Sequence, residues 1–250
     1  MDVELLTVFN ALVNLRDNLE SPPHIVSSEL DFLSFAAKRA PLSNAQLLQD
    51  LWALYELNEK RNGYFVEFGA CDGISLSNTL LLEKAYGWQG ALAEPARAWH
   101  AALYDNRNCY ITDKCVHKTN GVEVLFNEVD IGELSGMDEF AAGDFHSQFR
   151  QDRRQYPVQT ISLDRFLSEA RAPKQIDYMS IDVEGGEFDV LESFDFTSYD
   201  IALISVEHNF SDSRDKIYGL LTGLGYRRRF QQLSLFDDWY VRPDLVAAST

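Results

Sequence analysis

In the segment Tyr64-Phe65-Val66-Glu67-Phe68-Gly69-Ala70-Cys71-Asp72-Gly73, an apolar run leads into a stretch with two glycines. The apolar run predicts a buried β-strand. The glycines predict a tight turn, since glycine adopts backbone conformations that other residues avoid. A helix is predicted next, from Ser75 to Tyr86. The segment therefore indicates a strand–turn–helix unit.

Strands and helices alternate along the chain after this unit. Predicted strands lie at 90–94, 108–112, 176–181 and 201–206, predicted helices at 97–104, 187–194 and 215–224, and a terminal strand pair at 226–231 and 234–241. Hydrophobic strands separated by helices are typical of a parallel sheet that is covered on both faces. We therefore predict an α/β fold that binds its ligand at the carboxyl ends of the strands.

Helical patterns also precede the first strand. Apolar residues recur on one stripe at 5–19, and two further helices are predicted at 29–39 and 44–60. We predict an N-terminal helical segment, residues 1–43, followed by the main domain, residues 44–250. The segment either covers part of the core or forms a contact in a homo-oligomer.

One long polar stretch interrupts the main domain. Residues 127–156 have mixed charge and weak periodicity. Such a stretch inside a compact domain is usually a lid or a binding loop, so we predict a substrate insertion here. The alternative is a surface insertion with a short helix of its own.

Composition narrows the classes of partner and the location. The chain has 250 residues and a net charge of −17 at pH 7, which argues against nucleic acid or an anionic membrane surface as a partner. No apolar run approaches the ~20 residues of a membrane span, and the N-terminus lacks the basic residues of a signal peptide. Three cysteines without paired spacing indicate a reducing compartment. We expect a cytoplasmic protein.

The turn after the first strand differs from a dinucleotide-binding motif. Glu67 stands where GxGxxG has its first glycine, and a carboxylate there would repel a pyrophosphate. A cationic ligand such as S-adenosylmethionine, with its ammonium and sulfonium groups, would be favoured. We expect Glu67 and Asp72 to face the cation, Gly69 to form the turn and Gly73 to let the helix start close by. A turn that binds no ligand is the alternative.

Acidic residues also follow the next two predicted strands. Glu94 lies 27 residues after Glu67, close to the spacing at which an acid binds ribose hydroxyls in such folds. Asp113 follows the third strand, where an adenine contact would fall. As alternatives, Glu94 is a capping or surface acid and Asp113 only terminates its strand.

Two later strand ends carry further polar residues. Asp182 follows one strand, and Glu207 and His208 follow its neighbour. Together these side chains could hold Mg²⁺, which would lower the pKa of a substrate hydroxyl. Asp182 and His208 are also the predicted catalytic residues. In the alternatives, Asp182 contacts only the cofactor or the substrate, and His208 is a buried histidine or a general base without metal.

From about Gln46 to Arg242 the chain resembles the FkbM-type S-adenosylmethionine-dependent methyltransferases. The resemblance rests on these motifs: Gln46 with Asp50, Phe65 to Gly73, Glu94-Pro95, Thr160-Ile161-Ser162-Leu163-Asp164, and Ile181-Asp182-Val183-Glu184-Gly185-Gly186-Glu187-Phe188-Asp189-Val190-Leu191.

This resemblance implies a Rossmann-like class I methyltransferase sheet of seven strands, the last antiparallel to the rest. It implies methyl transfer to a hydroxyl of a sugar or natural product, so the expected partner is a small-molecule or carbohydrate acceptor. Glu67 and Gly69 would line the cofactor, Glu94 its ribose, and Asp182 the reacting centre. Catechol-type enzymes place a basic lysine where this chain has Gly185. The base is therefore His208 or a metal-bound hydroxide.

Three other functions agree less well with the sequence. A nicotinamide oxidoreductase is disfavoured by Glu67, and a nucleic-acid methyltransferase by the acidic charge and by Asp182-Val183-Glu184-Gly185 in place of a Pro-Pro-aromatic motif. A non-catalytic protein with the same fold is disfavoured because the carboxylates predicted to face the cofactor are intact.

Overall fold

The computed structural model describes residues 27–129, 136–137, 153–183 and 185–246. The chain divides between Lys38 and Arg39 into two compact units, each described by itself. In the first unit, helix α1 spans Ser27–Ala37. The apolar stripe predicted at 5–19 lies outside the described residues. The predicted boundary after residue 43 and the oligomer contact stay predictions.

The second unit alternates strands and helices, as predicted. Its elements are a 3-10 turn (Ala40–Leu42), α2 (Gln49–Glu56), β1 (Tyr64–Phe68), α3 (Leu80–Tyr86), β2 (Gln89–Ala93), α4 (Arg97–Asn106), β3 (Tyr110–Thr112), β4 (Cys115–Val116), β5 (Glu123–Val129), β6 (Gly136–Met137), β7 (Arg153–Ile161), α5 (Leu163–Glu169), β8 (Gln175–Ile181), α6 (Glu187–Ser193), β9 (Asp200–Glu207), α7 (Ser213–Gly223), β10 (Arg227–Arg229), β11 (Asp237–Val241) and α8 (Pro243–Val246).

Within the described residues, seven strands form the main sheet in the order β10-β11-β9-β8-β1-β2-β3. Strands β3, β2, β1, β8 and β9 run parallel, and β11 is antiparallel both to β9 and to β10. This topology confirms the Rossmann-like fold, including the last strand that runs against the others. The order reverses between β1 and β8, so a ligand is expected at the carboxyl ends of these two strands.

The two faces of the sheet are buried by different helices. On one face, Trp52 of α2 stacks on Trp239 with ring centroids 5.1 Å apart and meets Tyr178 edge-on at 6.1 Å. We call this side the α2 face. On the opposite side, the α7 face, residues of the sheet form one core with two residues of α7: Val66, Met179, Ile204, Val206 and Tyr240 with Ile217 and Leu221.

The predicted insertion at 127–156 begins and ends in strand. Asn127 pairs with Gln155 and Glu128 with Arg154, because β5 and β7 form an antiparallel pair. Residues 130–135 and 138–152, with the aromatic residues at 140, 145 and 149, lie outside the described residues. The lid itself therefore stays a prediction.

Two predicted helices are shorter than expected. The helix predicted from Ser75 begins only at Leu80, because residues before it bond to the side chain of Glu67 instead of forming a first turn. The helix predicted at 44–60 is confined to Gln49–Glu56. In the described part of the chain, no helix is both long and apolar enough to cross a bilayer.

Candidate active site

The turn after β1 brings the ends of two neighbouring strands into close contact. Gly69 has φ +72°, and a Cβ built on it would lie 2.8 Å from the backbone oxygen of Asp182. The turn then continues through Cys71, which has φ +47°. Only glycine fits the first position, since a side chain there would be strained and would also collide with the β8 end. Gly69 thus forms the turn, as predicted from the sequence.

Glu67 lies under this turn with its carboxylate directed at protein donors. Its Oε1 accepts the N–H of Asn78 at 2.6 Å, and its Oε2 accepts the hydroxyls of Ser77 at 3.1 Å and Thr79 at 2.5 Å. Arg107 Nη1 lies 3.6 Å from Oε2. Only 2 % of Glu67 is exposed. The predicted contact of Glu67 with a cofactor cation stays untested.

Asp72 and Gly73 complete the turn. Asp72 Oδ1 accepts the N–H groups of Ile74 and Ser75 at 2.8 and 2.7 Å. Burial opposes ionisation of Asp72, but these hydrogen bonds outweigh it and hold the pKa of the carboxyl below its usual value. Gly73 has φ +79°, and a Cβ there would lie 2.6 Å from Cγ of Arg107. The glycine therefore makes room for Arg107, whereas the following helix begins further along.

Glu94 follows β2 and faces the same turn. Its Oε2 accepts the N–H of Cys71 at 2.8 Å and its Oε1 the N–H of Ala96 at 2.7 Å. Only 4 % of Glu94 is exposed, and this burial raises its pKa to about 7. Glu94 thereby connects the ends of β1 and β2. Asp113, after β3, is exposed. Their predicted contacts with ribose and adenine stay predictions.

The pairing of the strands places three acidic residues on one face of the sheet. Ser180 of β8 pairs with Ser205 of β9. Asp182 and Glu207 each follow two residues later, so they project from the same α2 face. Glu207 pairs in turn with Asp237 of β11. Asp182, Glu207 and Asp237 therefore lie next to one another at the carboxyl edge.

The electrostatics of this edge centre on Asp182. The pKa of Glu94, Glu187 and Asp237 is raised in each case to about 7; burial is the largest cause, and the charge of Asp182 contributes in the same direction. The carboxyl groups thus lie close enough to repel one another. A ligand with positive charge would relieve this repulsion, which gives the edge a preference for cations.

His208 lies on the other face. Val206, two residues before His208, pairs with Asp238, and the ring Nε2 of His208 lies 3.8 Å from Asp238 Oδ1. The ring Nδ1 accepts the N–H of Phe210 at 3.0 Å. Burial lowers the pKa of His208 below its usual value. The ring is therefore a buried, neutral group on the α7 face, away from Asp182.

This placement does not fit the predicted metal site. Asp182 and Glu207 project from the α2 face, whereas His208 projects from the α7 face, so the three predicted ligands do not converge. Across the described ranges, no group of three or more His, Cys, Asp or Glu side chains is arranged to hold a metal ion. The described residues therefore do not support a divalent cation, and no step of the chemistry is assigned to one.

Sequence reasoning missed two residues at the edge. Asp237 is 4 % exposed, and its Oδ2 accepts a hydrogen bond from Nε2 of Gln49 at 2.8 Å. Glu187 Oε1 accepts the N–H of Gly185 at 2.8 Å and so holds the loop after β8. Glu187 lies within the motif from Ile181 to Leu191 on which the family resemblance rests, so the sequence did contain a signal for this residue. Asp237 had none, because its place depends on the pairing of β11 with β9.

The chain belongs to the FkbM methyltransferase domain family, whose model matches residues 67–236. The protein is thus a methyltransferase, and its family implies the use of S-adenosylmethionine. Similar solved structures include a precorrin-6y C5,15-methyltransferase from Geobacter metallireducens GS-15, with 10 % identity and a TM-score of 0.41 over 72 % of each chain.

A second similar structure is a ribosomal protein L11 methylase from Lactobacillus delbrueckii subsp. bulgaricus. It has 8 % identity and a TM-score of 0.39, over 77 % of this chain and 76 % of that one. Comparison with curated proteins gives no match.

The residues at the carboxyl edge suit such a cofactor. Gly69 lets the ends of β1 and β8 approach each other closely, because a Cβ there would collide with the backbone oxygen of Asp182. The buried carboxyl groups around Asp182 suit a ligand with ammonium and sulfonium charges and no phosphate.

Proposed function

We propose that this methyltransferase transfers the methyl group of S-adenosylmethionine to a hydroxyl of a carbohydrate or a related natural product. The observation that carries the proposal is the group of carboxyls around Asp182 on the α2 face. It combines a preference for a cationic cofactor with oxygen atoms that accept hydrogen bonds from hydroxyl groups.

The cofactor would be held by the turn at Gly69 and by Glu94 and Asp182. Bound there, S-adenosylmethionine supplies an electrophilic methyl group on a sulfonium that leaves as a neutral thioether. Glu94 already fixes the turn through Cys71 and still has acceptor capacity for ribose hydroxyls. Asp182 lies where the ends of β1 and β8 meet, so its charge favours the cationic cofactor over the neutral product.

We assign Asp237 as the base that removes the proton of the acceptor hydroxyl. His208 lies on the α7 face, whereas Asp237 shares the α2 face with Asp182 and Glu207. Burial raises the pKa of Asp237 to about 7, which suits a base that works near neutral pH. The hydroxyl proton would pass to a carboxylate oxygen of Asp237, while Asp182 and Glu207 orient the hydroxyl.

An exposed aromatic residue at the same edge supports a sugar as acceptor. Phe210, just after β9, is 72 % exposed and has φ +57°. Its loop is fixed, because Phe210 N–H donates to His208 and the N–H of Ser211 donates to the His208 carbonyl at 2.7 Å. A fixed, exposed aromatic ring at this edge can stack on the apolar side of a sugar.

Mass spectrometry tests the proposal. The protein is incubated with S-adenosylmethionine and a panel of methyl glycosides, and the products are examined for the addition of one methyl group. We expect a methylated glycoside with the wild type and with the exposed control Glu192→Gln, and none with Asp182→Asn. Methylation of flavonoid or peptide controls in place of every glycoside would contradict the carbohydrate assignment.

A further inference from the structure

A buried ion-pair network lies directly beneath the turn after β1. Its centre is Arg107, which follows the last residue of α4 and whose side chain is fully buried. Arg107 Nε donates to Glu83 Oε2 at 2.6 Å, and Nη1 donates to the Gly73 carbonyl at 3.2 Å. Nothing in the proposed chemistry uses this guanidinium, although it touches the turn at several points.

Two hydroxyl groups join Arg107 to Glu67. Ser77 Oγ accepts from Nη1 at 3.0 Å, and Thr79 Oγ1 accepts from Nη2 at 2.8 Å. Each hydroxyl also donates to Glu67 Oε2. Each hydroxyl therefore accepts from Arg107 and donates to Glu67. The result is a satisfied network that connects β1, the turn and α4.

Packing against neighbouring residues also fixes the position of the Arg107 side chain under the turn. The guanidinium carbon of Arg107 lies 5.3 Å from the centre of the Phe65 ring. A side chain at Gly73 would collide with Arg107. Close by, Asn106 Nδ2 donates to the Asp72 carbonyl at 2.9 Å. The end of α4 therefore holds the turn from below through charge, hydrogen bonds and shape together.

We infer that Arg107 is a positioning residue for the cofactor turn and that Glu67 is its anchor rather than a ligand of the cofactor cation. The inference rests on the proposed S-adenosylmethionine site. Glu67 has its oxygens occupied by Ser77, Asn78 and Thr79, and a nearby guanidinium compensates its charge. A turn that is held before the ligand arrives loses less entropy on binding.

A second, partly buried ion pair provides a control at another place in the sheet. Lys60 Nζ lies 2.7 Å from Oδ1 of Asp177, an almost fully buried acid that also accepts the N–H of Tyr64. Asp177 and Tyr64 lie near the amino ends of β8 and β1, at the opposite edge of the sheet. Removal of Lys60 therefore perturbs stability without reaching the cofactor turn.

The experiment compares Arg107→Met, Arg107→Lys, Thr79→Val, Glu67→Gln and Lys60→Met in the full-length protein. Calorimetry gives the Kd of S-adenosylhomocysteine, thermal unfolding gives the Tm, and hydrogen exchange of the unliganded protein reports on residues 71–79. We expect Kd to rise about tenfold in Arg107→Met and Thr79→Val, the lower end of the effect of losing a charge-assisted hydrogen bond. Exchange should rise in the same segment.

Arg107→Lys should recover part of the affinity, and Lys60→Met should lower the Tm while leaving Kd and exchange at 71–79 unchanged. Glu67→Gln should raise exchange at the Asn78 amide, as an anchor requires. A higher Kd for Glu67→Gln with unchanged exchange would instead make Glu67 a ligand and overturn the inference.

If the Arg107→Met variant does not fold, the Thr79→Val variant tests the positioning role instead, because it removes only the hydroxyl that bridges Arg107 and Glu67. A wild-type Kd in Thr79→Val would overturn the positioning role. Failure of the wild type itself to bind S-adenosylhomocysteine would instead overturn the proposed function.

Discussion

Asp182 and His208 follow neighbouring strands of one sheet but lie on its opposite faces. Asp182 shares the α2 face with Glu207 and Asp237, whereas His208 lies beside Asp238 on the α7 face. The difference arises because each step along a strand turns the side chain to the other side. The acceptor and its proton are therefore expected among the carboxylates, with His208 as part of the core.

Replacement of Asp182 by Asn should reduce methyl transfer far more than cofactor binding. The substitution keeps the size of the side chain but removes the negative charge next to the reacting groups. Turnover with a methylated glycoside product and calorimetric binding of S-adenosylhomocysteine measure the two effects separately, with Glu192→Gln as control. An equal loss of both would mean that Asp182 acts only through cofactor binding and does not orient the acceptor hydroxyl.

Replacement of His208 by Gln should leave turnover and cofactor affinity close to wild type. The ring is buried beside Asp238 and accepts the N–H of Phe210, so its loss should lower the Tm instead. Addition of Mg²⁺ or of EDTA should change neither the turnover nor the cofactor affinity of the variant or the wild type. A loss of turnover at unchanged Tm, or a heat of Mg²⁺ binding that disappears in His208→Gln, would restore His208 to the site.

Replacement of Glu94 by Ala should weaken binding of S-adenosylhomocysteine by about 1–3 kcal/mol, the usual cost of losing charge-assisted hydrogen bonds. Glu94 holds the Cys71 and Ala96 amides, so the turn loses its connection to β2 along with any contact to ribose. Titration of the wild type and Glu94→Ala measures the effect. Unchanged affinity would refute both roles of Glu94.

Stability of the unliganded protein should fall as pH rises from about 5 to about 8. Burial raises the pKa of Glu94, Glu187 and Asp237 to about 7 and that of Asp50 to about 6. The folded state therefore binds more protons than the unfolded state between about pH 4 and 7, and this stabilisation is lost as pH rises through the folded pKa values. His208, with its lowered pKa, acts in the opposite direction as a single group.

Thermal unfolding at pH 5.5, 6.5 and 7.5 measures this dependence. The Tm should decrease along the series, and Asp237→Asn should flatten the decrease because it removes one of the titrating groups. Carboxyls with lowered pKa, such as Asp72 and Asp238, contribute only below about pH 4 and do not affect the series. A Tm that increases with pH would contradict the conclusion that burial raises the pKa of these acids.

The sequence was informative where the signal is local. The apolar run at Tyr64–Phe68 and the glycine at 69 predicted the first strand and its turn, and the alternation of later strands and helices predicted the sheet. The helix start at Ser75 was wrong because a carboxylate on another element, Glu67, binds the hydroxyls and the amide that precede Leu80.

Contacts between distant elements were not predictable in this way. Arg107 reaches the turn from the end of α4, and Asp237 reaches Glu207 only through the pairing of β11 with β9. Neither residue stands in a pattern that distinguishes it from an ordinary surface charge. The sequence also placed Glu207 and His208 in one site, although consecutive residues at the end of a strand face opposite sides.

Calorimetric titration of the wild-type protein with S-adenosylhomocysteine, with NAD⁺ as the comparison ligand, tests whether the carboxyl edge around Gly69, Glu94 and Asp182 binds this cofactor. We expect saturable, micromolar binding of S-adenosylhomocysteine and no heat with NAD⁺. Binding of NAD⁺ alone, or of neither ligand, would contradict the assignment of this edge to the cofactor.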